Sequence, residues 1–278
     1  MEISDFITAY LPLVLLMLAT GLVGGVMAGL MGIGGGIVIV PVLEFALGFL
    51  GVDPSIRMHV AVATSLATII PTSISSSRAH HRRGAVDFGL AKRWGPFVFL
   101  GAALGSWIAA RVDSAGLSAI FAAVALFVAA KMILPMENIR LADKAPSGII
   151  GSVFPGLIGM VSTMMGIGGG ALSVTLLTIF NVPIHRAVAT SAFFGLLIAV
   201  PGTVGFMITG QGNAHLPPGS VGFVNLAGFL IISPATFLAA PLGARIAHAL
   251  SRRQLSMTFG AFLLAVALRM LYRTFFGG

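Results

Sequence analysis

The sequence predicts an all-α polytopic membrane protein made of two inverted-topology repeats of about five transmembrane segments each. Composition, a duplicated set of motifs and the placement of Lys and Arg carry that expectation. Of 278 residues, 57% are hydrophobic and 9% charged, with a mean hydropathy of +1.04. A soluble domain carries about 25% charged residues, so this chain covers itself with lipid rather than water. Its net charge of +8 lies in short loops between apolar runs, where basic residues set orientation, which excludes a nucleic-acid-binding role. With no cysteine, disulfides, thiolate metal sites and a cysteine nucleophile are excluded. The beginning (Met1, Glu2, Asp5) lacks a basic n-region and similar apolar runs recur to the end. The first run therefore reads as a span and not as a cleaved signal.

At about 20 apolar residues per span, segments fall at roughly 8–31, 37–51, 58–79, 94–111 and 115–134, then at 147–165, 171–182, 186–209, 220–247 and 254–276. The most polar stretch, Pro135 to Pro146 (PMENIRLADKAP), separates the two sets. The expected organisation is a first repeat over 1–134, a cytoplasmic linker over 135–146 and a second repeat over 147–278, in one membrane domain of eight to ten spans.

The halves match in three blocks in the same order. MGIGGG stands at Met31 to Gly36 and again at Met165 to Gly170; HVAVATS (His59 to Ser65) matches HRAVATS (His185 to Ser191); LGSWIA (Leu104 to Ala109) matches LGARIA (Leu242 to Ala247). Such internal duplication is common in secondary transporters. Five segments is an odd number, so the second half enters the membrane in the opposite sense. With the loop around Arg78, Arg82 and Arg83 placed in the cytoplasm, only Arg57, Arg111, Arg269 and Arg273 of the 16 Lys and Arg fall outside. The equivalent loop of the second half, Gly210 to Ser220, holds no Lys or Arg. That asymmetry follows the positive-inside rule and places both termini outside.

Four glycines within five residues break a helix. The apolar runs that follow each string last only about 15 and 12 residues; at 1.5 Å per residue the second covers about 18 Å of a 30 Å core. These are half-helices with N-termini inside the membrane. A helix N-terminus presents unpaired N–H groups and about half a positive charge, so it attracts anions. Gly34, Gly35, Gly36, Gly168, Gly169 and Gly170 are accordingly candidate substrate-binding residues, approached from opposite faces. The competing account is tight helix packing through small residues. Thr64, Ser65, Thr190 and Ser191, at matched positions, are candidate hydroxyl ligands, or else bond to their own or a neighbouring helix. Pro71 and Pro201 follow them and are expected to kink or unwind those helices.

At GLMGIGGGIVIVP (Gly29 to Pro41), AVATS (Ala61 to Ser65), the basic loop from Arg78 to Arg83, and the second GIGGG with AVATS (Ala187 to Ser191), the chain resembles the sulfite exporter TauE/SafE family. The resemblance covers nearly the whole chain. It implies export of sulfite, sulfonates or related small organic anions across the bacterial inner membrane by secondary transport, without naming the anion. The second string continues GGGALSVTLL where the first has GGGIVIVP, so Pro41 has no partner and the half-sites need not contribute equally.

Ionisable residues inside spans are functional candidates. Glu44, matched by the neutral Thr178, is a candidate for carrying a coupling proton, or it lies near the interface paired with Arg57. His59 and His185, paired by the repeat, titrate near neutrality and are candidates for a proton relay, or they mark span ends. The cluster from Arg78 to Arg83 anchors topology and contacts anionic lipid, or it concentrates anions at a cytoplasmic mouth. No cofactor or metal is implied: no GK[ST] follows the glycines, and there is neither an HExxH motif nor a reachable Ser-His-Asp set. An intramembrane hydrolase and a scaffold are the rival functions, and a non-sulfur carboxylate is the rival substrate.

Overall fold

A computed structural model describes residues 3–31, 34–82, 84–134, 148–246 and 252–276. The expected linker at 135–146, Arg83, and Gly32 and Ile33 of the first string lie outside the described residues. The helices are α1 (Ile3–Met31), α2 (Gly36–Phe49), α3 (Pro54–His81), α4 (Phe88–Ala109), α5 (Ser114–Ile133), α6 (Gly148–Met164), α7 (Gly170–Ile179), α8 (Ile184–Thr209), α9 (Leu226–Ile246) and α10 (Arg252–Phe276). Each expected segment corresponds to one helix.

Two expectations need correction. The segment expected to start at 220 opens instead with a small antiparallel hairpin, β1 (Ser220–Val221) and β2 (Val224–Asn225). Gly219 and Gly222 take left-handed φ values of 72° and 55°, and the Phe223 N–H donates to the Phe206 carbonyl at 3.2 Å. The chain is thus turned and pinned to the end of α8 before α9 begins. The second correction concerns unwinding at the prolines: α3 and α8 run through Pro71 and Pro201 as continuous helix, so neither is unwound there.

Among the described residues, five helices are long and apolar enough to cross a membrane, lying within α1, α3, α5, α8 and α9. α2 and α7, with 14 and 10 residues, measure only about 21 and 15 Å against a core of about 30 Å. α3 begins at the N-cap Asp53, whose side chain accepts the Ser55 N–H at 2.9 Å, with Pro54 in the first helical position. α5 starts in the same way, on Asp113 accepting the Gly116 N–H.

The helices pack across the two halves. α1 lies on α9 and α6 on α4; α3 lies on α9 and α8 on α4; α2 covers α3 and α7 covers α8; α3 meets α8, and α5 meets α10. Exchanging α1–α5 for α6–α10 turns each pairing into another of the same set, or, for α3–α8 and α5–α10, into itself. Leu66 faces Gly202 and Ser73 faces Gly195, so α3 and α8 run antiparallel. α1 and α9 run parallel, with Gly21 against Ile232 and Gly25 against Thr236; α4 and α6 do the same, with Gly101 against Gly156 and Gly105 against Met160. A Cβ on Gly101 would strike the Gly156 carbonyl, so these crossings depend on backbone touching backbone, as expected where lipid supplies no hydrophobic drive between helices.

α2 runs back along α3, from Gly36 beside Ile69 to Leu43, which flanks Gly228 together with Thr64. Gly24 of α1 faces Gly35 and Ile39. α1 and α2 therefore form a helical hairpin bent at the glycine string, level with the middle of α3.

Candidate functional site

The glycine strings meet each other. α6 ends in a turn closed by Gly166 N–H to the Thr163 carbonyl (3.1 Å) and Ile167 N–H to the Ser162 carbonyl (2.9 Å), with Gly166 at φ 68°. The N-caps of α2 and α7 are Gly35 and Gly169, at φ 75° and 71°. A left-handed residue costs other side chains about 1–2 kcal/mol, and a glycine brings no side-chain cap; in α2 the Val38 N–H turns back onto the Gly35 carbonyl at 3.0 Å, while in α7 the first such bond is that of Ser173 to Gly169 at 2.8 Å. Gly34 and Gly168, equivalent in the repeat, face one another: a Cβ on Gly34 would stand 3.0 Å from the Gly168 Cα. A Cβ on Gly36 would strike the Gly166 carbonyl oxygen and lie 3.0 Å from the Ile167 Cα. The buried Ser65 hydroxyl donates to that same carbonyl at 2.8 Å.

The two glycine strings therefore touch, and Ser65 bonds to the turn beside them. In this conformation the two strings also pack directly on each other. An anion between Gly34 and Gly168 would require them to separate.

The threonines are engaged elsewhere. Thr64 Oγ1 accepts the Asn225 N–H at 2.9 Å, and Asn225 Oδ1 accepts the Gly228 N–H at 2.9 Å, capping α9. Thr190 Oγ1 accepts the Asp87 N–H at 3.1 Å, and Asp87 Oδ1 accepts the Leu90 N–H at 2.9 Å, capping α4. Asp87 and Asn225 stand in register with the LGSWIA and LGARIA blocks, so this latch is duplicated. Sequence reasoning missed both caps, although an Asp or Asn placed three residues before a first-turn amide is a readable start signal. Ser191, the counterpart of Ser65, is fully buried and its hydroxyl has no hydrogen-bond partner.

The coupling candidates do not touch the strings. Glu44 lies eight residues beyond Gly36, about 12 Å along α2, with Oε1 3.9 Å from Arg57 Nη1. Arg57 also donates through Nε and Nη2 to the Val52 carbonyl, at 3.2 and 2.8 Å. His59 is buried, its Nε2 3.2 and 2.9 Å from the Ala109 and Val112 carbonyls and its ring stacked on Phe223 at 5.0 Å. His185 is exposed, so the two matched histidines occupy unlike environments. Arg78, His81 and Arg82 are exposed at the end of α3. Among the described residues no three His, Asp or Glu side chains gather as a metal site.

Long apolar helices packed through glycine, with two half-helices meeting head to head inside the bundle, define a multi-pass membrane protein, and comparison with known proteins makes it a membrane transporter rather than an enzyme. The chain belongs to the sulfite exporter TauE/SafE family, whose model matches residues 17–270. It is 35% identical over 260 residues to a probable membrane transporter protein of Haemophilus influenzae, covering 92% of this chain and 97% of the relative. It is 28% identical over 285 residues to the probable membrane transporter protein YunE of Bacillus subtilis, covering 94% and 98%. A Methanocaldococcus jannaschii protein of the same description is 25% identical over 269 residues, covering 94% and 97%. No solved structure matches the chain.

Proposed function

We propose that the protein is a secondary transporter that exports a small sulfur-containing or organic anion, such as sulfite or a sulfonate, across the bacterial cytoplasmic membrane. The anion is held near the midplane by the opposed N-termini of α2 and α7 with serine hydroxyls alongside. The observation that carries this reading is the contact of Gly34 with Gly168, which sets two uncapped helix starts against each other in the middle of the bundle. Fixed cations are not needed there, because amide N–H groups and hydroxyls bind an oxyanion weakly enough to release it.

The same reading makes the halves inverted repeats. Antiparallel packing of the equivalent helices α3 and α8 supports it. Because the α1–α2 hairpin returns the chain towards its entry side, each half makes three net crossings, which is still an odd number. Both termini then lie outside, and the Arg78–Arg82 end of α3 lies in the cytoplasm against anionic lipid. Protons are the proposed coupling ion.

The purified protein in proteoliposomes tests the function. Vesicles preloaded with sulfite, a short alkanesulfonate or a small carboxylate should take up the labelled anion by counterflow. Absence of exchange for every anion in that set would refute transport of this class, and exchange confined to carboxylates would replace the sulfur assignment.

A further inference from the structure

The two half-sites differ in a way their shared glycines conceal. Ser162, on the last turn of α6, and Ser173, on the first turn of α7, are 1% and 0% exposed, and neither hydroxyl has a partner. Ser162 Oγ lies 3.6 Å from where a Cβ on the N-cap Gly169 would stand, so it is aimed at the open amides of α7. Ser173 is held to the same turn by its own N–H, which donates to the Gly169 carbonyl at 2.8 Å. Beside this turn Ser162, Ala171 and Leu172 gather with Ile37 of α2 and Val124 and Val128 of α5 around a gap too tight for a water in this conformation.

The first half has nothing comparable. Register with the glycine strings puts Ala28 where the second half has Ser162, and Ile39 where it has Ser173. Ile39 Cγ1 lies 3.3 Å from where a Cβ on Gly24 would stand, filling that place with hydrocarbon. The other hydroxyl pair is also unequal, with Ser65 bonded to the Gly166 carbonyl and Ser191 unpartnered, but it belongs to α3 and α8 and not to this turn. A buried hydroxyl without a partner destabilises a fold, and two of them at the start of one half-helix, Ser162 and Ser173, point to a ligand that satisfies them.

We propose that the anion is seated asymmetrically, on the first-turn amides of α7 with hydrogen bonds from the Ser162 and Ser173 hydroxyls, while the start of α2 closes over it as an apolar wall. This rests on the transport reading above and assigns which half carries the recognition. A hydroxyl donates to an oxyanion without adding a charge, so the seat favours a fully ionised oxygen and still lets it leave.

The test is counterflow of labelled sulfite in proteoliposomes by the wild type and by Ser162→Ala, Ser173→Ala, the double variant and Ser162→Thr, with melting temperatures measured in detergent. Loss of a hydrogen bond to a charged group should raise the half-saturating sulfite concentration about tenfold for each serine. Ser162→Thr should restore it. The alanine variants should melt at the wild-type temperature or above it, because each removes an unpaired polar group. Unchanged half-saturation in the double variant, beside an active wild type, would overturn the asymmetric seat and leave transport standing. A rise accompanied by a lower melting temperature would mark the serines as structural and also overturn it. A wild type that exchanges no anion would instead remove the transport reading, and the seat with it.

Discussion

Replacing Gly36 by alanine tests the contact between the strings most directly. Gly36 opens α2 with an ordinary φ, so alanine carries no backbone penalty there and by propensity would favour the helix by about 1 kcal/mol. The steric effect is opposite and larger. The new methyl would strike the Gly166 carbonyl oxygen and stand 3.0 Å from both the Ile167 Cα and the Ile69 Cδ1. An ordinary carbon–oxygen contact is about 3.3 Å, so the start of α2 and the turn at Gly166 must part by on the order of 1 Å. Both are backbone and cannot swing aside. Overpacking of this kind costs about 1–3 kcal/mol, and the Ser65 hydrogen bond to the same carbonyl puts about another 1 kcal/mol at risk. The variant should melt several degrees below the wild type in detergent and lose counterflow. Gly51→Ala is the control: its φ is 73° but nothing lies within 4 Å of the added methyl, so strain of about 1–2 kcal/mol should leave flux intact. Wild-type melting and wild-type flux in Gly36→Ala would refute the contact.

Other outcomes follow from the surrounding structure. Thr64→Val and Thr190→Val each leave a capping amide unpaired and should cost about 1–3 kcal/mol in denaturation, with serine at either position restoring stability. Asn225→Ala and Asp87→Ala should each cost about 1 kcal/mol as lost N-caps. Glu44→Gln, whose carboxylate faces Arg57 away from the strings, should keep the dependence of flux on an imposed proton gradient; loss of that dependence would make Glu44 the coupling residue. Outside the spans, the Ser55 backbone N–H and hydroxyl, and less strongly the charges of His215 and Arg57, hold the Asp53 carboxyl below its ordinary range. A carboxyl with a depressed folded value stabilises fully above its unfolded value and loses that contribution as pH falls through the folded one. Asp53→Ala should therefore melt lower than the wild type at neutral pH, and the gap should narrow in strong acid.

Helix number and order were legible in the sequence because lipid imposes them: each apolar run of adequate length had to become a helix, and each glycine string had to break one. The duplication made the meeting of the half-helices readable as well. The roles of Thr64 and Thr190 were not, because a hydroxyl inside an apolar helix looks the same whether it awaits a ligand or accepts an amide from a residue far away in sequence. In this structure each hydroxyl accepts the amide of Asn225 or Asp87, and neither lies near its threonine in the chain. The hairpin at Ser220–Asn225 escaped because Val221, Phe223 and Val224 continue an apolar run, while its turns depend on two glycine φ values that hydropathy does not register. The inequality of the half-sites stood in plain view as Ala28 against Ser162 and Ile39 against Ser173, but became informative only once both serines proved buried and unpartnered.

The cross-half packing also restricts how such a molecule can move. α1 is clasped by α9 and α6 by α4, so the two sequence repeats are interlocked and neither can rock as a unit against the other. The clasped helices form mixed groups, α1, α2, α3 and α9 in one and α4, α6, α7 and α8 in the other, joined by an α3–α8 contact as extensive as those within them, with the paired α5 and α10 alongside. The threonine latches fall inside the groups, Thr64 with Asn225 in the first and Thr190 with Asp87 in the second. Ser65 with Gly166, Gly34 with Gly168, and the antiparallel α3–α8 contact span the seam between them. For the transport proposed above, relative motion would have to run along the α3–α8 contact and not between the sequence halves, so a cross-link from α1 to α9 should be tolerated where one from α3 to α8 arrests exchange.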